Sequence, residues 1–209
     1  MTTSPSMISL HKGDLPDGVD FGDSVAIDTE TLGLVPRRER LCVVQLSAGD
    51  GRAHVVQIAA GQKHAPNLAR LLADPKVTKL VHFARFDIAV LYAAFGVMTA
   101  PLYCTKIASK LVRTYTDRHG LKDLTRELLG IDLSKQQQSS DWAAEALSEA
   151  QIAYAASDVL HLHALRDKLE AMLRREGRGD LAAACFAFLP TRAKLDLLGW
   201  QDADIFSHE

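Results

Sequence analysis

Between residues 24 and 59 the chain holds three short runs with strand character, 25–30, 41–46 and 54–58, after which the pattern changes to helix. Gly49-Asp50-Gly51 separates the last two runs and predicts an antiparallel hairpin. Residues 67–73 then read as a helix closed by Asp74-Pro75, 77–83 as a buried strand, and 86–95 as a helix ended by Gly96. An antiparallel start followed by strand and helix alternation predicts an α/β fold.

The second half reads as mainly helical, over 105–113, 121–129 and a long segment from 151 to about 175. Ser148 and Gln151 form an S-x-x-Q capping box at the head of the last. No internal repeat, low-complexity tract or dividing linker is present, and Gly177-Arg178-Gly179 is the best candidate for a break. One domain over 1–209 is therefore expected, with its core at about 20–175; the 47% hydrophobic content is enough for a continuous core without disulfides or structural metal. The segment 180–209 contains apolar runs at 186–190 and 195–200, with Ile205 and Phe206, and is expected to dock on its own domain or on a neighbouring subunit.

The formal net charge is −2, without the basic excess of proteins that grip long nucleic acid through many phosphates, so any phosphate contact must be local. The opening stretch 1–22 is polar and has no signal-peptide pattern, and no apolar stretch approaches membrane-spanning length. Cys42, Cys104 and Cys185 are far apart, odd in number and not in a CxxC pair, which suggests neither a disulfide framework nor a zinc site. A reducing cytoplasm is the natural setting.

Asp28 and Glu30 stand at i and i+2 of the first strand-like run, where alternation turns both side chains toward one face. Two close anions raise each other's pKa unless a cation sits between them, and a hard divalent ion such as Mg²⁺ or Mn²⁺ prefers oxygen ligands. Read alone, the pair is a strand end facing water. Asp87, near the start of a helix after a buried strand, and Asp158, within a largely apolar helical stretch, extend the set. Tyr154 lies four residues before Asp158, so on a helix the two emerge from one face.

In this order, Asp28-Thr29-Glu30-Thr31, then Asp87, then Tyr154-Ala155-Ala156-Ser157-Asp158 resembles the three exonuclease motifs of the DEDD superfamily, tyrosine branch, of which ribonuclease D is a member. Lys135-Gln136-Gln137-Gln138-Ser139-Ser140-Asp141-Trp142 is similar to the sequence before the third motif, and the resemblance runs over about 20–175. It implies a ribonuclease H-like exonuclease fold, a central mixed β-sheet flanked by helices. Many relatives carry asparagine four residues before the second-motif aspartate, where this chain has Phe83 beside His82, so a substrate contact through that asparagine is not carried over. The helical HRDC domains that follow the nuclease in ribonuclease D are not expected in the remaining chain. Thr105-Lys106-Ile107-Ala108-Ser109-Lys110-Leu111, Tyr115-Thr116-Asp117-Arg118-His119-Gly120-Leu121 and Leu195-Asp196-Leu197-Leu198-Gly199-Trp200 look like the bacterial nanoRNase C group, whose members degrade diribonucleotides; this second resemblance covers nearly all 209 residues.

What the resemblance implies is a metal-dependent 3′→5′ exoribonuclease acting on short single-stranded RNA, dinucleotides in that group's manner, with nucleoside 5′-monophosphates as products. Asp28, Glu30, Asp87 and Asp158 would hold two metal ions, Mg²⁺ or Mn²⁺, and Tyr154 would orient the attacking water. Thr31, Leu32, His82, Phe83 and Arg85 are candidate substrate contacts, with Leu32 placed to wedge against a terminal base; for Leu32 and Phe83 a place in the core, and for Arg85 a solvated charge, are the competing readings. Lys106, Lys110 and Arg113 at i, i+4 and i+7 predict one basic helical stripe, extended by Arg118, His119, Lys122 and Arg126. Gln138, Ser140 and Trp142 are candidates for polar and stacking contacts, although Ser140 or Asp141 can equally cap a helix beginning near Trp142. The group's ring-like assemblies of dimers imply a homo-oligomer, up to an octamer. Ribonuclease D-like trimming of longer RNA, or of DNA, and a non-catalytic nucleic-acid-binding module are the alternatives.

Overall fold

A computed structural model describes residues 7–134 and 136–208. Lys135 of the glutamine-rich segment, residues 1–6 of the opening stretch and Glu209 lie outside the described residues.

Six strands form one mixed sheet: β1 (Ile8–Lys12), β2 (Ser24–Thr31), β3 (Leu41–Ser47), β4 (Ala53–Gln57), β5 (Thr78–Val81) and β6 (Leu102–Cys104), in the order β1-β4-β3-β2-β5-β6. β2, β3 and β4 pair antiparallel, with Asp28 opposite Gln45 and Glu30 opposite Val43. β5 runs parallel to both β2 and β6, and β1 runs parallel to β4. The expected hairpin between 41 and 58 is β3–β4, and the expected strand 77–83 is shorter, because His82 and Phe83 leave the ladder. β1 and β6 were not among the expected strands. β1 is a five-residue edge strand with only Ile8 and Leu10 apolar and β6 has three residues, so neither is long enough to carry a clear alternation.

The helices are α1 (Pro66–Ala73), α2 (Ala84–Phe95), α3 (Thr105–Val112), α4 (Leu121–Leu124), α5 (Glu149–Leu160), α6 (Leu162–Arg175) and α7 (Gly179–Leu198). α4 runs into a π-helical turn, Thr125–Leu129, where a single helix was expected. The capping box of α5 is present: Gln151 donates its backbone N–H to Ser148 Oγ at 3.2 Å, and Ser148 N–H donates to Gln151 Oε1 at 2.9 Å. The long helix expected over 151–175 is two helices, parted at His161. No glycine or proline marks that break in the sequence. α5 lies across β2, β3 and β4 whereas α6 packs on α3 and β5, and the chain changes direction to serve both surfaces.

The expected break at Gly177-Arg178-Gly179 falls where α6 gives way to α7: residues 176–178 form the turn and Gly179 is the first residue of α7. α7 packs on α2, β6, α3 and α6 of its own chain, burying Ala182, Phe186, Leu189 and Ala193. No helix among the described residues is long and apolar enough to cross a membrane.

Two packed regions flank the sheet. The larger holds Ile27, Val44, Leu46, Val56 and Ile88 with the apolar faces of α6 and α7; the smaller joins Cys42, Val43 and Val55 to Trp142, Leu147 and Ala155. The division matters for chemistry, because alternation along β2 sends Asp28 and Glu30 to the α5 side and Thr29 to the other.

Candidate active site

β2 delivers Asp28 and Glu30 to the end of the sheet where its parallel neighbour β5 also ends, the place where open α/β sheets leave a crevice. A bulge after Glu30 shifts the register, so that Thr31 pairs with Leu41. Thr31 Oγ1 then donates to the Gly33 carbonyl at 2.5 Å. From the opposite wall, α5 presents Tyr154 and Asp158 one turn apart. One carboxylate oxygen each of Asp28, Glu30 and Asp158 lies within 4.8 Å of the others.

Asp87 approaches from the other face. It is buried in the first turn of α2, where Thr29 Oγ1 donates a hydrogen bond to its Oδ1 at 2.6 Å. The four acids therefore do not all meet in one cluster: three converge, and Asp87 stands behind them, close enough for its charge to act on Asp28.

Among the described residues no ion pair involves any of these four carboxylates. Burial, and then the charges of Asp87, Asp158 and Glu30, hold Asp28 well above the usual carboxylate range. Burial and the neighbouring Asp158 and Asp87 push Glu30 up to about 9. Burial pushes Asp87 to about 7, against the opposing hydrogen bond from Thr29, and Asp158 to about 7, against the opposing Tyr154 hydroxyl. Tyr154 itself is raised by burial and then by Asp158, Glu30 and Asp28. Such a group of anions is short of positive charge, and an all-oxygen donor set fits a hard divalent cation.

A cavity of about 310 Å³ opens over the trio. His82, Phe83, Lys106 and Gln138 line it, as does Tyr154. Lys122, Leu133 and Ser134 line it too, and of these only Lys122 was named from sequence, as part of the basic character around α4. The irregular segment that carries Leu133 and Ser134 shows no periodicity from which its inward residues could be read.

Phe83 is the only non-glycine with positive φ among the described residues, at φ 71, ψ 42, and it stands immediately before α2. A side chain in that region costs about 1–3 kcal/mol and persists only where the surroundings enforce it. The result is a phenyl ring 45% exposed, with the Lys106 ammonium 4.2 Å from its centroid. His82 Nδ1 lies 2.9 Å from Thr105 Oγ1, and burial pulls the imidazole down to about 3, so it is neutral at physiological pH.

Several expected contacts are not part of this cavity. Trp142 is 2% exposed in the smaller core region, its ring centroid 6.0 Å from that of Tyr154, where it packs rather than offering a face to a base. Ser140 turns back to Gln137 Oε1 at 2.5 Å, and no helix begins at Trp142. Thr31 and the 52% exposed Leu32 follow the bulge and lie outside the cavity lining, Leu32 N–H donating to the Arg40 carbonyl at 3.2 Å. Arg85 points to α7 and pairs with Asp196 at 2.5 Å. The expected basic stripe is broken as well: Arg113 is fully buried, bonded to Ser109 Oγ, the Arg118 carbonyl and Glu127. A helix-face count cannot anticipate that a cation will find a partner elsewhere in the fold.

Residues 14–174 match the 3′-5′ exonuclease family. Ribonuclease D of Gluconacetobacter diazotrophicus is 41% identical over 165 residues, which are 79% of this chain and 42% of that protein, so the chain spans less than half the length of this curated relative. The structure of Brucella melitensis NrnC with bound Mg²⁺ is 62% identical with a TM-score of 0.93, covering 97% of this chain and 99% of the other. The same protein bound to pGG gives 62% identity and a TM-score of 0.94 over 97% and 98% of the two chains.

Proposed function

The chain belongs to the 3′-5′ exonuclease family of ribonuclease D type, and from that premise we propose that it hydrolyses short oligoribonucleotides, dinucleotides foremost, from the 3′ end to nucleoside 5′-monophosphates. The observation that carries this reading is the convergence of Asp28, Glu30 and Asp158 at the floor of a small cavity that Tyr154 also lines. The similarity to a structure of a relative bound to pGG supports the short substrate, and so does a net charge of −2, which gives little attraction for a long polyanion.

Asp28, Glu30 and Asp158, with Asp87 behind them, would hold divalent cations, for which Mg²⁺ and Mn²⁺ are the candidates. When bound, such ions supply a nucleophile at neutral pH and neutralise charge on the attacking and leaving oxygens. The Tyr154 hydroxyl, kept protonated by burial and by its acidic neighbours, donates its hydrogen bond to Asp158 and would orient the attacking water by accepting a hydrogen bond from it. The water oxygen adds to phosphorus while the bond from phosphorus to the 3′-oxygen breaks, releasing a 5′-monophosphate and a new 3′-hydroxyl. Lys106 and Lys122 line the cavity and would face the phosphates of a bound substrate, and Phe83 would offer a stacking surface.

The second reading, trimming of longer RNA or of DNA, is favoured by the ribonuclease D relatives. A time course with 5′-phosphorylated RNAs of about two to seven nucleotides and a longer competitor, in Mg²⁺ or Mn²⁺ and with Asp28→Ala as control, separates the two. Preferential loss of the shortest species supports the first; equal or faster loss of the longer competitor supports the second. Hydrolysis untouched by chelation would count against both, whereas RNA binding with no hydrolysis of either length would leave a non-catalytic binding module.

We also place the protein in a cytoplasmic homo-oligomer built from dimers. Leu198, Trp200 and Phe206 are 70%, 46% and 75% exposed at the end of the chain, an apolar surface of the kind a neighbouring subunit covers.

A further inference from the structure

The C-terminal helix reaches back to the start of α2. Asp196, 5% exposed on α7, accepts hydrogen bonds from Arg85 Nε at 2.5 Å and Nη2 at 2.7 Å. It accepts two more from Arg192, at 3.0 and 2.7 Å. The same guanidiniums hold the chain beyond the helix, Arg85 donating to the Gln201 carbonyl at 2.6 Å and Arg192 to that of Trp200. A buried carboxylate clasped by planar forks defines a geometry closely, and removing one partner leaves charge uncompensated.

Arg85, in the first turn of α2, lies between Phe83, the residue that caps the helix, and Asp87. That first turn is pinned from two directions: by Thr29 on β2 through Asp87, and by Asp196 on α7 through Arg85. Asp196 lies outside the residues that match the exonuclease family, 14–174, so this second pin comes from a part of the chain that the family match does not include.

We propose that Asp196 is a positioning residue for the exonuclease site: through Arg85 it holds the first turn of α2 in the orientation that presents Phe83 at the cavity and Asp87 behind Asp28. The proposal rests on the exonuclease reading above.

The test compares the full chain with Asp196→Asn, Arg85→Lys, their double variant, and Asp180→Asn, an exposed carboxylate at the head of the same helix, as control. Mg²⁺ affinity of the substrate-free protein is read by calorimetry, KM and kcat on a 5′-phosphorylated dinucleotide, and folded fraction by circular dichroism. Each single variant is expected to weaken Mg²⁺ binding and raise KM, by about tenfold each, with the double variant no worse than the worse single. The control should match the parent. Should Asp196→Asn fail to fold, Arg85→Lys, which keeps the charge and loses the fork, carries the same expectation. A fall in kcat that follows the folded fraction while KM and Mg²⁺ affinity stay put would overturn the proposal, as would unchanged kinetics or single effects that simply add. Hydrolysis that survives Asp28→Ala would instead overturn the exonuclease reading, a result the Asp196 variants cannot mimic.

Discussion

Thr29 donates a 2.6 Å hydrogen bond to Asp87 across 58 residues of sequence, from the position in β2 between Asp28 and Glu30, where alternation turns the side chain away from both. The strand thus supplies two acids to one face and the support for a third to the other. Thr29→Val keeps the shape and removes the donor, leaving a buried carboxylate with one partner fewer. A loss of about 1–3 kcal/mol in denaturant unfolding is expected, with turnover lowered about tenfold, while Thr29→Ser should stay near the parent.

Tyr154→Phe removes only the hydroxyl. If that group orients water, kcat should fall about 100-fold or more while RNA affinity, measured by fluorescence anisotropy, changes little. Unchanged turnover would take the phenol out of the mechanism.

The crowded acids set function against stability. Asp28→Asn removes a charge that burial and three acidic neighbours oppose, so the metal-free variant should melt higher than the parent while losing hydrolysis altogether. Mg²⁺ should raise the melting temperature of the parent far more than that of the variant, and a chelator should reverse the difference.

His82 gives a pH signature. Its folded pKa of about 3 lies below the ordinary value of 6.5, so the unfolded chain binds a proton there that the folded chain refuses. Stability linked to this group is therefore fully present above the unfolded value and is lost as pH falls through it toward the folded one. Between pH 7 and 5 the loss amounts to roughly 2 kcal/mol. Denaturant unfolding of the parent and of His82→Gln at both values should show the parent losing that much more; equal losses would mean that the imidazole titrates freely.

Trp142 separates packing from stacking. With 2% exposure among Cys42, Val43 and Leu147, Trp142→Ala should cost about 3–5 kcal/mol through the cavity it opens. Phe83→Ala should cost clearly less stability than Trp142→Ala and raise KM as well, since its ring is 45% exposed at the cavity.

The sequence by itself determined the parts of the site that rest on short-range geometry. Two acids at i and i+2 must share a strand face, a tyrosine and an acid at i and i+4 must share a helix face, and Ser148 with Gln151 marks where that helix begins. Those periodicities follow from backbone geometry and hold in any surroundings. What only the tertiary structure decided is where separated groups find their partners: Arg85 turns to Asp196 across 111 residues, Arg113 is drawn inward to Glu127, Trp142 fills a core gap, and the helix breaks at His161 to cover two surfaces. A cation, an indole or a helix bend answers to the charge and volume available around it, and those are properties of the packed molecule that no local pattern contains.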